Sequence, residues 1–133
     1  MRAIVIDGFG GVEHLVIKEI PDPEPKPGYA VTEVKAFGIN HAEMHMRRGE
    51  WAEAAPVSGI ECVGVVKSCP GGEFAVGTKV AALMGGLGRT INGSYAEYYT
   101  SSGDKRCFYR VRPSLRGTCS NTGVLCHSLD FVP

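Results

Sequence analysis

Apolar residues in this chain come in short bursts, cut every few positions by glycine or proline. Arg2–Ile6 is a β-branched run that stops at Asp7-Gly8, which predicts a strand and a turn. Residues 15–20 alternate apolar and polar side chains, the pattern of a strand with one buried face. Gly10-Gly11 between them suits a bend. Alternate prolines in Pro21-Asp22-Pro23-Glu24-Pro25-Lys26-Pro27-Gly28 cannot feed a sheet ladder. That stretch is expected to cross the surface extended and to end in a turn. Residues 30–38 read as a longer strand, with Thr32, Val34 and Ala36 on one face and Val31, Glu33, Lys35 and Phe37 on the other.

One helix is predicted, over residues 40–49. Asn40 can cap its start, and Glu43 stands three residues later as in a capping box. Arg47 and Arg48 fall in the last turn, where the macrodipole favours cations. Gly49 can take the left-handed conformation that ends a helix. Further strands are expected over 60–67, over the later part of 74–83, and over 94–99, with a mobile glycine-rich loop at 85–92. Gly64 implies a bulge or a close backbone approach. After Thr100 no period is sustained; 108–111 reads as one more strand and the rest of 101–133 as loose. Many short strands with frequent punctuation predict a mainly-β fold, a sandwich or partly open barrel.

A length of 133 residues allows one domain with a real core. The formal net charge of +0 gives no electrostatic footprint for nucleic acid or an acidic membrane. No apolar run is long enough to span a bilayer, and the first residues break too soon for a signal peptide, so a cytoplasmic protein is expected. The cysteines number 5, an odd count, and none forms C-x-x-C. Free thiols are therefore expected, not a disulfide framework or a zinc ribbon.

Several motifs occur in a characteristic order. Val34-Lys35-Ala36-Phe37-Gly38-Ile39-Asn40 fits V-x-A-x-G-[IV]-N, and Arg47-Arg48-Gly49 fits R-x-G. Pro56 to Val66 fits P-x-x-x-G-x-[ED]-x-x-G-x-V, Gly77-Thr78-Lys79-Val80 fits G-[DT]-x-V, and Gly93-Ser94-Tyr95-Ala96-Glu97-Tyr98 fits G-[GS]-Y-A-E-Y. From Met1 to about Tyr99 the chain resembles the N-terminal GroES-like domain of the medium-chain dehydrogenase/reductase superfamily, in its zinc-independent quinone oxidoreductase-like branch. The resemblance implies a GroES-like partly open β-barrel over residues 1–100, with 101–133 an atypical, disordered or out-of-frame tail. It also implies hydride transfer from NADP(H) to a small-molecule quinone or enone.

Zinc enzymes of the superfamily carry a cysteine where this chain has Asn40 and a histidine where it has Ile60. An amide and an aliphatic side chain cannot replace those ligands, so no metal is expected. His41 and His45 stand at i, i+4, but no Glu follows His41 as H-E-x-x-H requires. By resemblance Asn40 lies beside nicotinamide and substrate; as a residue type it is equally well explained as a helix cap. His45 would donate to a developing enolate oxygen, or face solvent. Arg47 is a structural or cofactor-edge cation. Trp51 and Ile60 would wall the substrate cleft, and for Trp51 a partly buried core aromatic is the alternative. Glu61 is expected on a buried strand, where it needs a partner.

Gly8-Phe9-Gly10-Gly11 and Gly85-Gly86-Leu87-Gly88 each lack the third glycine of G-x-G-x-x-G, so neither is a dinucleotide fingerprint. The chain is thus expected to be truncated before the dinucleotide-binding domain and to have little or no reductase activity by itself. An uncovered apolar cleft would favour self-association. The alternative is a non-catalytic interaction module derived from the same barrel.

Overall fold

A computed structural model of the protein describes residues 1–102, 108–112 and 130–132. The elements run β1 (Arg2–Ile6), a 3₁₀ turn (Val12–His14), β2 (Leu15–Glu19), β3 (Tyr29–Phe37), α1 (His41–Arg48), β4 (Glu61–Ser68), β5 (Lys79–Leu83), β6 (Tyr98–Ser102), β7 (Phe108–Arg112) and β8 (Asp130–Val132). β1 and β2 form an antiparallel hairpin. The other strands form a six-stranded sheet in the order β6-β3-β4-β5-β7-β8, antiparallel throughout. Among the described residues the sheet is not closed, because β6 and β8 remain at opposite edges. No helix among them is long and apolar enough to cross a membrane.

Residues 94–97 stitch the hairpin to the sheet. Ile4 N–H donates to the Tyr95 carbonyl (2.8 Å), Glu97 N–H to the Arg2 carbonyl (3.1 Å), and Val34 N–H to the Glu97 carbonyl (2.9 Å). The main core gathers Ala30, Cys62, Val66, Val80, Leu87 and Tyr99, and a second cluster joins Ala3, Val57, Tyr95 and Ala96. β4 supplies the inner face by simple alternation, with Cys62, Gly64 and Val66 buried. A side chain at Gly64 would strike the Glu33 carbonyl, so glycine here permits the close approach of β3.

Several expectations are corrected. β3 does not alternate cleanly: Ala30, Val31 and Thr32 are all buried, because the register slips between Val31 and Thr32 and again between Val34 and Ala36. The strand expected over 94–99 begins only at Tyr98, and Tyr95 turns inward before it. The 85–92 loop is tied down: the N–H groups of Arg89, Thr90 and Ile91 all donate to the Gly86 carbonyl, and Leu87 enters the core. The 3₁₀ turn and β8 carried no sequence signal. A strand was expected at 108–111, and β7 lies there. The rest of the expected loose tail, with Cys107, Cys119 and Cys126, lies outside the described residues. Cys62 and Cys69 are free thiols.

Candidate functional site

Three strand ends meet at one margin of the sheet. β3 ends at Phe37, opposite Cys62, and β5 ends at Leu83, opposite Glu61. Residues 37–40, 60–61 and 83–84 therefore come together, and α1 starts at the same place with Asn40 as its N-cap. Met84 follows β5 in the left-handed region, at φ 61°, and its N–H donates to the Ile60 carbonyl (2.8 Å). Such a conformation in a non-glycine residue is held by its surroundings, and it recurs at binding sites. Phe37, Ile39, Leu83 and Met84 are all exposed, Ile39 to 85%. This margin presents apolar surface that the fold leaves uncovered.

A buried carboxylate organises it. Glu43 is only 5% exposed. Asn40 N–H donates to Glu43 Oε2 (2.7 Å), the carboxylate half of a capping box. Ile60 N–H donates to Glu43 Oε1 (2.9 Å), and the Tyr95 hydroxyl donates to Oε2 (2.5 Å). A charge this buried needs such donors. Burial, then the hydrogen bond to Glu43, holds the Tyr95 phenol above its usual range, and the charges of Glu43 and Glu61 add to the effect.

Asn40 Nδ2 is buried without a hydrogen-bond partner among the described residues. Glu61 is half-buried, and its side chain packs where a Cβ on Gly38 would stand. It was expected to need a partner, yet no described residue gives its carboxylate a hydrogen bond or an ion pair.

Asn40 and Ile60 are thus brought together; the remaining candidates are engaged elsewhere. His45 places Nδ1 on the Glu50 carboxylate and lies edge-on to His41, with ring centroids 5.1 Å apart. That bond to His45 holds the Glu50 carboxyl below its usual range. The Arg47 guanidinium donates to the Gly10 carbonyl, and Gly10 N–H donates back to the Arg47 carbonyl (3.1 Å), so Arg47 clasps the turn after β1 to α1. Trp51 has the Arg89 guanidinium 5.6 Å above its ring, and Arg89 in turn pairs with Glu53 at 2.9 Å. No described contact links His45, Arg47 or Trp51 to Asn40 or Ile60. Among the described residues no group of three or more His, Cys, Asp or Glu side chains could hold a metal ion.

Sequence reasoning missed Met84 and the larger part played by Glu43 and Tyr95. The capping signal located Glu43 but not its burial, and the G-[GS]-Y-A-E-Y motif contained Tyr95 without indicating its partner. A groove of about 500 Å³ opens beside Tyr95, lined by Ile4, Ile17, Val34, Ala36 and Phe37 among others. None of the five residues singled out from the sequence lines it.

The model of the alcohol dehydrogenase GroES-like domain family matches residues 26–111, more than half of the chain. Human quinone oxidoreductase is 32% identical over 106 residues, covering 74% of this chain and 30% of the human protein. The mouse synaptic vesicle membrane protein VAT-1 homolog-like is 33% identical over 89 residues, covering 63% of this chain and 21% of that protein. A mycobacterial protein solved in complex with NADPH superposes with a TM-score of 0.72 at 26% identity, covering 87% of this chain and 34% of the other. The chain therefore spans well under half the length of these relatives.

Proposed function

The chain belongs to the alcohol dehydrogenase GroES-like domain family, within the medium-chain dehydrogenase/reductase superfamily, and from that premise we propose that it forms the substrate-side wall of a hydride-transfer crevice in a zinc-independent, NAD(P)H-linked quinone or enone reductase. The observation that carries this reading is the shared Glu43 carboxylate, which receives the N–H of both Asn40 and Ile60. The two positions that hold ligands in the superfamily's zinc enzymes are neighbours here, and neither side chain is a zinc donor.

The residues present fit the reacting end of a nicotinamide and not its phosphate end. Exposed Ile39, Leu83 and Met84 offer apolar surface to a flat ring, and an amide stands beside them. The glycine-rich loop at 85–88 folds onto the Gly86 carbonyl and opens no helix, and the one at 8–11 leads only into the three-residue 3₁₀ turn. Neither loop therefore presents a helix N-terminus to a pyrophosphate. A bound reduced nicotinamide would supply the hydride. This chain's contribution is position and environment: the apolar margin excludes water, and the unpartnered Asn40 Nδ2, buried here, would donate to the substrate carbonyl on turning outward. For His45 to donate to a developing enolate oxygen Nε2 would have to serve, since Nδ1 lies on Glu50, and no described contact joins its ring to the margin at Asn40 and Ile60. Assayed with NADPH and a quinone, the chain alone is expected to show no turnover above the uncatalysed rate.

Titration of the ¹⁵N-labelled chain with NADPH, followed by amide chemical shifts, tests the reading. Shifts gathered at Ile39, Asn40, Ile60 and Met84 are expected. Shifts confined to Ile4 and Ile17 in the groove beside Tyr95, or no shifts at millimolar NADPH, would count against it.

A further inference from the structure

We propose that Tyr95 is a positioning residue of this crevice, whose hydroxyl fixes the Glu43 carboxylate and through it sets the peptides of Asn40 and Ile60. The inference rests on the crevice reading above and names a residue that acts without touching a ligand.

A carboxylate on a two-carbon stem can rotate and exchange its oxygens. Here the two oxygens are assigned: Oε1 to Ile60 N–H, and Oε2 to both Asn40 N–H and the Tyr95 hydroxyl. The two peptide donors belong to the segments being positioned, so they cannot also serve as the fixed reference. Tyr95 can. It is 8% exposed and its ring packs on Phe37 at 4.7 Å. Its N–H donates to the Ser58 carbonyl (3.0 Å), and its carbonyl accepts from Ile4 N–H (2.8 Å). The hydroxyl is therefore held from three sides: by β1, by the segment before β4, and by the end of β3. The charged and titratable groups whose fields meet at the Tyr95 hydroxyl are Glu43 from α1 and Glu61 from β4, with Tyr95 itself. Of these, the Tyr95 hydroxyl is the one that donates a hydrogen bond to the carboxylate.

Hydrogen exchange of the ligand-free chain reads this directly. A hydrogen bond to a charged group is worth about 1.5 kcal/mol, which corresponds to roughly tenfold in an opening equilibrium. In Tyr95→Phe the amides of Asn40 and Ile60 should therefore exchange about tenfold faster together, and the Asn40 side-chain amide resonances should move. The amides of Val66 and Val80 in the core should be unchanged. Unaltered exchange at Asn40 and Ile60, or acceleration there only in step with the core, overturns the proposal, because a purely structural contact would act globally. Glu43→Gln should accelerate the same two amides, and adding Tyr95→Phe to it should change little. Full additivity would mean that Tyr95 does not act through Glu43. Should Glu43→Gln fail to fold, the Tyr95→Phe measurement decides alone. No ligand enters the experiment, so a failed NADPH titration and a failed positioning role are separate outcomes.

Discussion

The Tyr95 hydroxyl lies 2.5 Å from Glu43 Oε2 although 52 positions separate the two residues in the chain. The contact joins the turn before β6 to the first turn of α1, and both side chains are buried. A helix of eight residues is too short to be stable by itself and must be held by tertiary contacts. Met46, fully buried, is one such contact. Glu43 is the polar counterpart. Glu43→Ala leaves the Asn40 and Ile60 N–H groups and the Tyr95 hydroxyl without their acceptor. Each bond to a charged group is worth about 1.5–3 kcal/mol and three bonds that share one acceptor do not add, so a loss of at least about 3 kcal/mol in urea unfolding is expected. A loss below about 1 kcal/mol would mean that water replaces the carboxylate and that the site is not dry.

Alkaline pH should destabilise the fold. Burial pushes the Cys62 thiol from 9.0 up to about 12 and holds the Tyr95 and Tyr99 phenols above their usual 10.0. The unfolded chain releases these protons first, while the folded chain retains them. The stabilisation is complete below the unfolded values and is lost as pH rises through the folded ones. Urea midpoints should hold near neutrality and decline steadily once pH passes about 9. In the same window Cys69, which is partly exposed, should react with a thiol reagent well before Cys62. A flat midpoint, or equal labelling of both cysteines in the folded protein, would contradict the burial argument.

Gly64→Ala tests the close approach of β3 and β4. The added methyl would meet the Glu33 carbonyl and stand 2.6 Å from Thr32 Cγ2, so the backbone must move. Overpacking of this kind costs about 1–3 kcal/mol. The midpoint of unfolding should fall with its slope unchanged, since the surface exposed on unfolding is the same. Gly72→Ala is the contrast: open space surrounds Gly72, but its φ of 78° is left-handed, so any loss there reports backbone strain without a clash.

The strands were legible because glycine and proline mark nearly every boundary, and α1 because both its caps are written in the chain, down to Gly49 at φ 75°. What the pattern could not give was where alternation stops being true. Residues 94–99, rich in tyrosine, read as a strand, yet Tyr95 lies before the ladder and reaches Glu43, a partner far away in sequence. β3 likewise loses its two clean faces to register slips that depend on β4. In the candidate site, Asn40 and Ile60 could be found from motif position. Glu43 was seen only as a cap, because a capping glutamate ordinarily sits at the surface and nothing in its own neighbourhood announces burial. Met84 was invisible for a related reason: its left-handed backbone is set by the Ile60 carbonyl and by the turn at Gly86, not by its residue type.

The adjacency of positions 40 and 60 can be tested by putting metal ligands there. Both backbones hang from the two oxygens of one carboxylate, which keeps them within the span of a single ion's coordination sphere. Thiolate and imidazole are the donors that zinc and cobalt take at about 2.3 and 2.0–2.1 Å. Asn40→Cys combined with Ile60→His should therefore bind Co²⁺ and show a thiolate-to-metal absorption band, with Glu43, Glu61 or water completing the set. Each single variant should bind more weakly, since one side chain cannot chelate. Added metal should also raise the melting temperature of the double variant, by linkage, and not that of the unsubstituted chain. If the double variant binds no better than the singles, the two side chains diverge, and the proposed hydride-transfer crevice is not formed by these residues.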